Sequence, residues 1–160
     1  MIYNANESAG YRQLKEMALA FVNAMKLGDA PGAYKKEVCE TKPSAYGAYH
    51  AAVILSLFGE LQKLDGKIID AWAARINAYQ CGNGYYSNHP ENMNRNRSAD
   101  ELDSVWHFTR GMLWTLYVLD RRPEADLSFL EPLLNKERMY SYVKKYDWSN
   151  SWAAGNQICA

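Results

Sequence analysis

The sequence has no excess of charge of either sign. Eighteen Lys and Arg residues balance eighteen Asp and Glu residues, so the formal net charge of the 160-residue chain is zero. Proteins that bind nucleic acid or an anionic membrane surface depend on clustered positive charge. The balance of charges gives no sign of such a cluster, and we therefore predict no nucleic-acid partner.

Cysteine is also scarce. The chain has only three cysteines, Cys39, Cys81 and Cys159, and no two of them form a CxxC pair. An odd number at these spacings does not favour a disulfide framework or a cysteine zinc site. We expect thiols in a reducing compartment, and we predict no metal and no cofactor.

Long hydrophobic runs are missing as well. No apolar stretch reaches the ~20 residues that a membrane-spanning helix needs, and the first ten residues lack the basic-then-apolar pattern of a signal peptide. We predict a cytoplasmic protein without a membrane span. Residues 152–160 are typical of the opening of a helix and contain no stop signal, which predicts that the sequence belongs to a longer protein.

The apolar residues recur at the spacing of helices. Hydrophobic residues make up 48% of the chain, and no segment shows the sustained period-two alternation of a strand. We therefore predict an all-α protein of antiparallel helical hairpins, in which amphipathic outer helices alternate with nearly charge-free inner ones. The predicted helices cover residues 8–27, 44–58, 67–80, 101–120, 127–134 and 136–146, with a last helix from residue 152.

The helix predicted at residues 101–120 carries the main candidate chemistry. It is apolar on nearly every side, which predicts burial. Asp103, His107 and Arg110 lie on one line at i, i+4 and i+7, with Trp114 one turn further. Unpaired polar groups are costly to bury, so this line should face a cavity, water or a partner group.

We predict that these three polar residues are catalytic. His107 would transfer protons near neutral pH, Asp103 would orient it, and Arg110 would bind a carboxylate or phosphate. The alternative is a structural network in which the three side chains cap the helix and tie it to the preceding loop.

The two longest inner helices align with each other. Residues 46–50 (YGAYH) correspond to residues 103–107 (DSVWH), and both segments continue into apolar helix. This correspondence indicates an internal repeat of stacked helical pairs. The predicted ligand-binding residues are Tyr46, Tyr49, His50, Trp106, Trp114 and Asn156.

The turn after the third predicted helix carries a resemblance. Residues 76–86 (INAYQCGNGYY) contain an aliphatic residue, three others, Gln80, a few residues, Gly84, one residue and the aromatic Tyr86. This order resembles the aromatic-Gln-Gly turn of the terpenoid cyclase and protein prenyltransferase α/α-toroid repeats. In such a turn the glutamine ties adjacent helix ends together, the glycine permits the reversal, and the aromatic ring packs under the next inner helix.

The resemblance covers residues 44–160 and implies a partial α/α toroid around a central cavity, with residues 1–43 as an N-terminal helix and connector. It does not extend to catalysis, because the family's Asp-x-Asp-Asp and Asp-rich diphosphate motifs are missing and its zinc ligands cannot be mapped here. Residues 135–146 also lack a second Gln-Gly turn. A partial ring exposes apolar surface, so we predict that the remainder of a longer chain, or self-association, covers it.

Two functions remain open. Aromatic residues on inner helices stabilise carbocations in isoprenoid enzymes and stack on sugars in sugar-processing α/α barrels, although such residues also pack cores. We predict a domain that binds or processes a carbohydrate or isoprenoid-like ligand in its concave centre. The alternative is a non-catalytic helical scaffold or interaction domain.

Overall fold

In the computed structural model, residues 8–88, 99–151 and 154–155 are described, and of residues 99–104, 132 and 133 only the backbone is. Within these ranges there is no β-strand, which confirms the all-α prediction for this part of the chain. None of the helices described is both long enough and apolar enough to cross a membrane. The α-helices are α1 (Ala9–Met25), α2 (Ala45–Leu57), α3 (Gly66–Asn77), α4 (Ala99–Val118) and α5 (Lys136–Lys144), and 3-10 helices cover Leu61–Lys63 and Ser128–Leu134.

The chain forms two compact units, which we call unit 1 and unit 2. Unit 1 ends at Trp72 and unit 2 begins at Ala73, so the division falls within α3. The toroid arrangement and the predicted domain boundary after residue 43 stay predictions.

In unit 1, residues 26–44 form a tight connector that returns the chain to the end of α1. The amide N–H of Leu27 donates to the carbonyl of Ala33 at 2.7 Å, and that of Lys35 donates to the carbonyl of Met25 at 3.0 Å. Gly28 and Gly32 have φ angles of +65° and +70°, which glycine adopts without steric cost. The connector therefore places Lys35 and the residues after it beside the last turn of α1.

Helix α2 buries its small residues, whereas its larger residues are half-buried or exposed. The amide N–H of Ser44 donates to the carbonyl of Tyr34 at 2.8 Å, which holds the helix start against the connector. A Cβ atom on Gly47 would lie only 2.4 Å from that same carbonyl oxygen. The large Leu57 side chain is 72% exposed. The predicted inner character of α2 therefore applies to its small-residue face, which comprises Ala45, Gly47, Ala48, Ala51 and Ala52.

In unit 2, α4 is amphipathic. Its buried face includes Val105, Phe108, Met112 and Leu116. Thr115 is also buried there, and its hydroxyl is satisfied within the helix by donating to the carbonyl of Gly111 at 2.7 Å. The opposite face is open to solvent at His107, Trp114 and Tyr117. The predicted burial is therefore observed on one face only, and the predicted line of residues faces water at His107 and Trp114, which is one of the three surroundings expected for it.

Candidate functional site

Two of the three predicted catalytic residues, His107 and Arg110, lie on the solvent-facing side of α4. Nη2 of Arg110 and Nε2 of His107 are 3.4 Å apart, and since a guanidinium only donates, the imidazole nitrogen is the acceptor in this contact. Asp103 is one helical turn before His107, but its side chain lies outside the described residues. The exposed rings of Trp114 and Tyr117 lie next along the same side, with centroids 5.7 Å apart. His107, Trp114 and Tyr117 thus belong to a surface that is open to solvent.

The other predicted ligand-binding residues fall into separate groups. The His50 ring lies 4.9 Å from the Tyr49 ring and 6.4 Å from the Tyr46 ring, so the structure brings these three together on α2. Trp106 packs instead against Tyr85 and Phe129 in an aromatic cluster of unit 2. Asn156 lies outside the described residues. Because His50 belongs to unit 1 and His107 to unit 2, a shared site for them stays a prediction.

Unit 1 contains a concave groove of about 290 Å³ between α1, α2 and the connector, which we call the α1–α2 groove. Its buried floor contains Val22, Met25 and Ala51, where the small residues of α2 leave room. Sequence analysis singled out only His50 among its residues. The sequence feature that could have indicated the groove is the run of small residues in α2. The groove is lined by Phe21, Val22, Met25, Lys35, Lys36, Gly47, His50, Ala51, Val53 and Ile54.

Basic side chains stand at the open side of this groove. Lys36 and His50 are exposed, whereas the floor is buried. Nζ of Lys36 is 3.4 Å from a carboxylate oxygen of Glu37, and Nζ of Lys35 donates to the carbonyl of Val38 at 3.0 Å. Partial burial of the ring, followed by the positive charge of Lys36, lowers the pKa of His50. Because the ordinary pKa of histidine already lies below 7, the imidazole is predominantly neutral at pH 7, and the neutral form can both donate and accept a hydrogen bond.

In unit 2, Gln80 joins two separate turns. Its carbonyl oxygen accepts hydrogen bonds from the amide N–H groups of Glu124 at 3.0 Å and Ala125 at 2.8 Å. Its amide nitrogen donates to the carbonyl of Ala125 at 3.1 Å and, more weakly, to that of Gly84 at 3.4 Å. These contacts are the ones expected of a glutamine that ties adjacent helix ends together.

The aromatic residue of this turn is completely buried against α4. Tyr86 has 0% exposure, its amide N–H donates to the hydroxyl of Thr109 at 3.0 Å, and its own hydroxyl donates to the side-chain oxygen of Asn77 at 3.0 Å. Burial, and then the negative charge of Glu124, raise the pKa of Tyr86 far above its ordinary value. The turn is thus a structural joint of unit 2.

We expect Gln80→Ala to lower the free energy of unfolding by about 2 kcal/mol, because it removes several hydrogen bonds that each contribute about 1 kcal/mol net. Gln80→Glu should lose about half as much, since it keeps an oxygen for the two N–H donors. Urea denaturation followed by circular dichroism measures both. The control is Gln62→Ala, at an exposed position of unit 1, and equal losses for Gln62→Ala and Gln80→Ala would contradict the assigned role.

The described residues show no metal centre. No three or more of their His, Cys, Asp and Glu side chains lie close enough together to hold a metal ion. Cys39 is an exposed thiol and Cys81 a buried one.

Comparison with known proteins finds no match. No protein-family model, no curated protein and no solved structure matches the chain. The relation to the α/α-toroid repeats therefore stays a prediction, based on the sequence of the turn at Gln80.

Proposed function

We propose that the protein binds a single hydrocarbon chain, of isoprenoid-like or acyl type, in the α1–α2 groove. The observation that carries this proposal is the apolar lining of a concave site of about 290 Å³. Pockets for small molecules are mostly apolar and have volumes of roughly 300–1,000 Å³. The groove lies at the lower end of this range, which suits one short chain.

The lining favours a hydrocarbon over a sugar. A sugar ring needs several polar partners around it and an aromatic face to stack on. Among the described lining residues, Phe21 supplies one phenyl ring, and it stands at the exposed edge. The floor residues Val22, Met25 and Ala51 carry no hydrogen-bonding side-chain group that a hydroxyl could use. Buried sugar hydroxyls would therefore be left unpaired, which costs free energy.

The proposal predicts how affinity depends on chain length. Each buried methylene contributes about 0.8 kcal/mol, so the dissociation constant of a neutral alcohol should fall about fourfold per added CH₂. This gain should stop once the groove is full. Calorimetric titration with the series from 1-hexanol to 1-dodecanol measures the slope and the plateau.

A matched pair of variants locates the binding. Ile54 lines the groove, whereas Leu57 lies on the same helix with 72% exposure and does not. We expect Ile54→Trp to fill the groove and weaken 1-decanol binding at least about tenfold, which corresponds to about two methylenes. Leu57→Trp should leave the affinity unchanged. Equal effects of the two substitutions, or no binding by the unaltered protein, would refute the proposal.

A second candidate function, carbohydrate binding on α4, is favoured by the exposed pair of Trp114 and Tyr117. Trp114 is 51% and Tyr117 75% exposed, and His107 and Arg110 precede them on the same side. Aromatic faces stack on sugar rings, and the two polar side chains could bind hydroxyl groups. This hypothesis uses one of the two ligand classes predicted from the sequence, a carbohydrate. It also uses three of the predicted residues, His107, Arg110 and Trp114.

Trp148 provides the control for this candidate, because it is also 51% exposed but its indole N–H donates to the carbonyl of Val143. A saccharide that stacks on α4 should lose binding in Trp114→Ala and keep it in Trp148→Ala. Maltohexaose and cellohexaose are suitable probes, followed by tryptophan fluorescence. Unchanged binding in Trp114→Ala would reject this candidate. Failure of alcohols and saccharides alike would favour the interaction-domain hypothesis.

A further inference from the structure

The described polar side chains that line the α1–α2 groove are all basic. Its described polar side chains are Lys35, Lys36 and His50, and none of the described residues lining it is acidic. The basic groups Lys36 and His50 stand at the open side, and the apolar floor lies beyond them. A ligand end that carries a negative charge and accepts hydrogen bonds complements these groups better than an uncharged end does.

We propose that the ligand of the α1–α2 groove is a medium-chain fatty acid whose single carboxylate is held between Lys36 and His50. This inference rests on the proposed binding of a hydrocarbon chain and adds the head group and the orientation. The apolar tail lies along the floor formed by Val22, Met25 and Ala51. The lysine ammonium and the imidazole N–H donate to the two carboxylate oxygens.

The local charge balance favours one negative charge over several. Lys35 and Lys36 are followed by Glu37 and Glu40. Glu37 pairs with Lys36, and a carboxylate oxygen of Glu40 accepts from the amide N–H groups of Lys36 and Glu37. With His50 neutral, these four residues sum to a formal charge of zero. A monocarboxylate gains directed hydrogen bonds here, whereas the several charges of a diphosphate would meet too little positive charge.

Binding should be coupled to proton uptake at His50. The charged groups that line the groove with the imidazole are Lys35 and Lys36 of the connector, and Lys36 is paired with Glu37. The aromatic rings of Tyr46 and Tyr49 approach from α2 itself. From α1 only the apolar Phe21, Val22 and Met25 line the groove. A bound carboxylate adds a negative charge that favours the imidazolium and opposes the effect of Lys36. Affinity should therefore rise as the pH falls from 8 to 6, where a fatty acid carboxylate stays largely ionised.

The decisive experiment compares decanoate with 1-decanol, which have equal chain lengths, by calorimetric titration of the whole chain at pH 8, 7 and 6. We expect decanoate to bind more tightly than 1-decanol at pH 7, and a further gain of about threefold to tenfold for decanoate alone between pH 8 and 6. His50→Gln should abolish the pH dependence, and Lys36→Met should reduce decanoate to the affinity of 1-decanol. Lys42→Met, at an exposed position of the same connector, should change neither ligand.

The outcomes separate this inference from the proposed function. If 1-decanol binds with the expected chain-length dependence but decanoate binds no better, the carboxylate assignment is overturned and the hydrocarbon site stands. Tighter binding of decyl diphosphate than of decanoate would overturn the preference for one charge, and pH dependence that persists in His50→Gln would overturn the role of that residue. If neither amphiphile binds, both proposals fail.

Discussion

Gly84→Ala is expected to lower the free energy of unfolding of unit 2 by about 2–4 kcal/mol. Gly84 has a φ angle of +87°, which costs an alanine about 1 kcal/mol. A Cβ atom at this position would also lie 2.2 Å from the carbonyl oxygen of Asp126 and 3.1 Å from the ring of Phe129. A backbone carbonyl cannot move aside as the end of a flexible side chain can. The overpacking therefore adds about 1–3 kcal/mol to the loss of stability.

The effect should reach beyond the turn itself. Gln80 bonds to the amide groups of Glu124 and Ala125, just before Asp126. If the methyl group added by Gly84→Ala pushes Asp126 away, these hydrogen bonds lengthen as well. The turn at Gln80 and the segment after α4 should therefore loosen together, which amide hydrogen exchange of Ala125 would detect.

Substitutions at two other glycines distinguish the cost of the positive φ angle from the cost of the close approach to Asp126. Gly28→Ala has the same kind of positive φ, at +65°, but no atom within 4 Å, so it should cost only about 1 kcal/mol. Gly82 lies in the same turn as Gly84, but its φ angle is outside the left-handed region and no atom lies within 4 Å of an added Cβ. Gly82→Ala should therefore leave the stability nearly unchanged. Urea denaturation of the three variants measures the differences. A loss for Gly84→Ala no greater than that for Gly28→Ala would show that the close approach to Asp126 is unimportant.

Gly47→Ala is expected to destabilise unit 1 by about 1–2 kcal/mol, although helix propensity alone predicts the opposite. Glycine inside a helix costs roughly 0.5–1 kcal/mol relative to alanine, so the substitution should favour α2 itself. A Cβ atom on Gly47 would however lie 2.4 Å from the carbonyl oxygen of Tyr34 and 2.6 Å from the carbonyl of Lys35. The helix must then move off the connector, and overpacking of this kind costs about 1–3 kcal/mol.

Gly10 is the matched control, because it also lies in the first turn of a helix. It is exposed, and a Cβ atom there would approach only the hydroxyl of Ser8, at 4.0 Å. Gly10→Ala should therefore stabilise the protein by about 0.5 kcal/mol. Opposite signs for the two substitutions, measured by urea denaturation, would show that packing decides at Gly47. A stabilising Gly47→Ala would contradict the contact of α2 with the connector.

Gly47→Ala also bears on the groove. Gly47 and Lys35 both line it, and they meet at this contact. A displacement of α2 from the connector would separate His50 from Lys36, so binding of decanoate should weaken more than binding of 1-decanol. Gly10→Ala should leave both affinities as they are. The small residues of α2 thus connect the stability of unit 1 with the shape of its proposed site.

The helices themselves could be placed from the sequence because their signals are local. The predicted segment 8–27 contains α1 (Ala9–Met25), and the segment 44–58 contains α2 (Ala45–Leu57). Helical periodicity and glycine or proline near the ends are enough for this. The segment 67–80 overran α3 (Gly66–Asn77) because Gln80 pairs with Tyr86 across the turn, a contact made only after the chain reverses.

The roles of the residues in the turn at Gln80 could also be predicted from the sequence. The resemblance of the turn that contains Gln80, Gly84 and Tyr86 implied a joint, a reversal and a buried ring, and each of these residues has that role in unit 2. By contrast, residues 127–134 were expected to be an ordinary helix, and Ser128–Leu134 is a 3-10 helix. Periodicity over so few residues does not separate the two helix types.

The sequence by itself determined which residues are helical, where the reversal at Gln80 occurs, and that His107 and Arg110 share one side of a helix. These features depend on the spacing of residues within one segment. Only the tertiary structure decided that this side faces solvent, and that α1, α2 and the connector enclose an apolar groove with Lys36 and His50 at its open side. Burial and concavity depend on which surfaces meet, and in α2 that meeting required a glycine small enough for two backbones to touch.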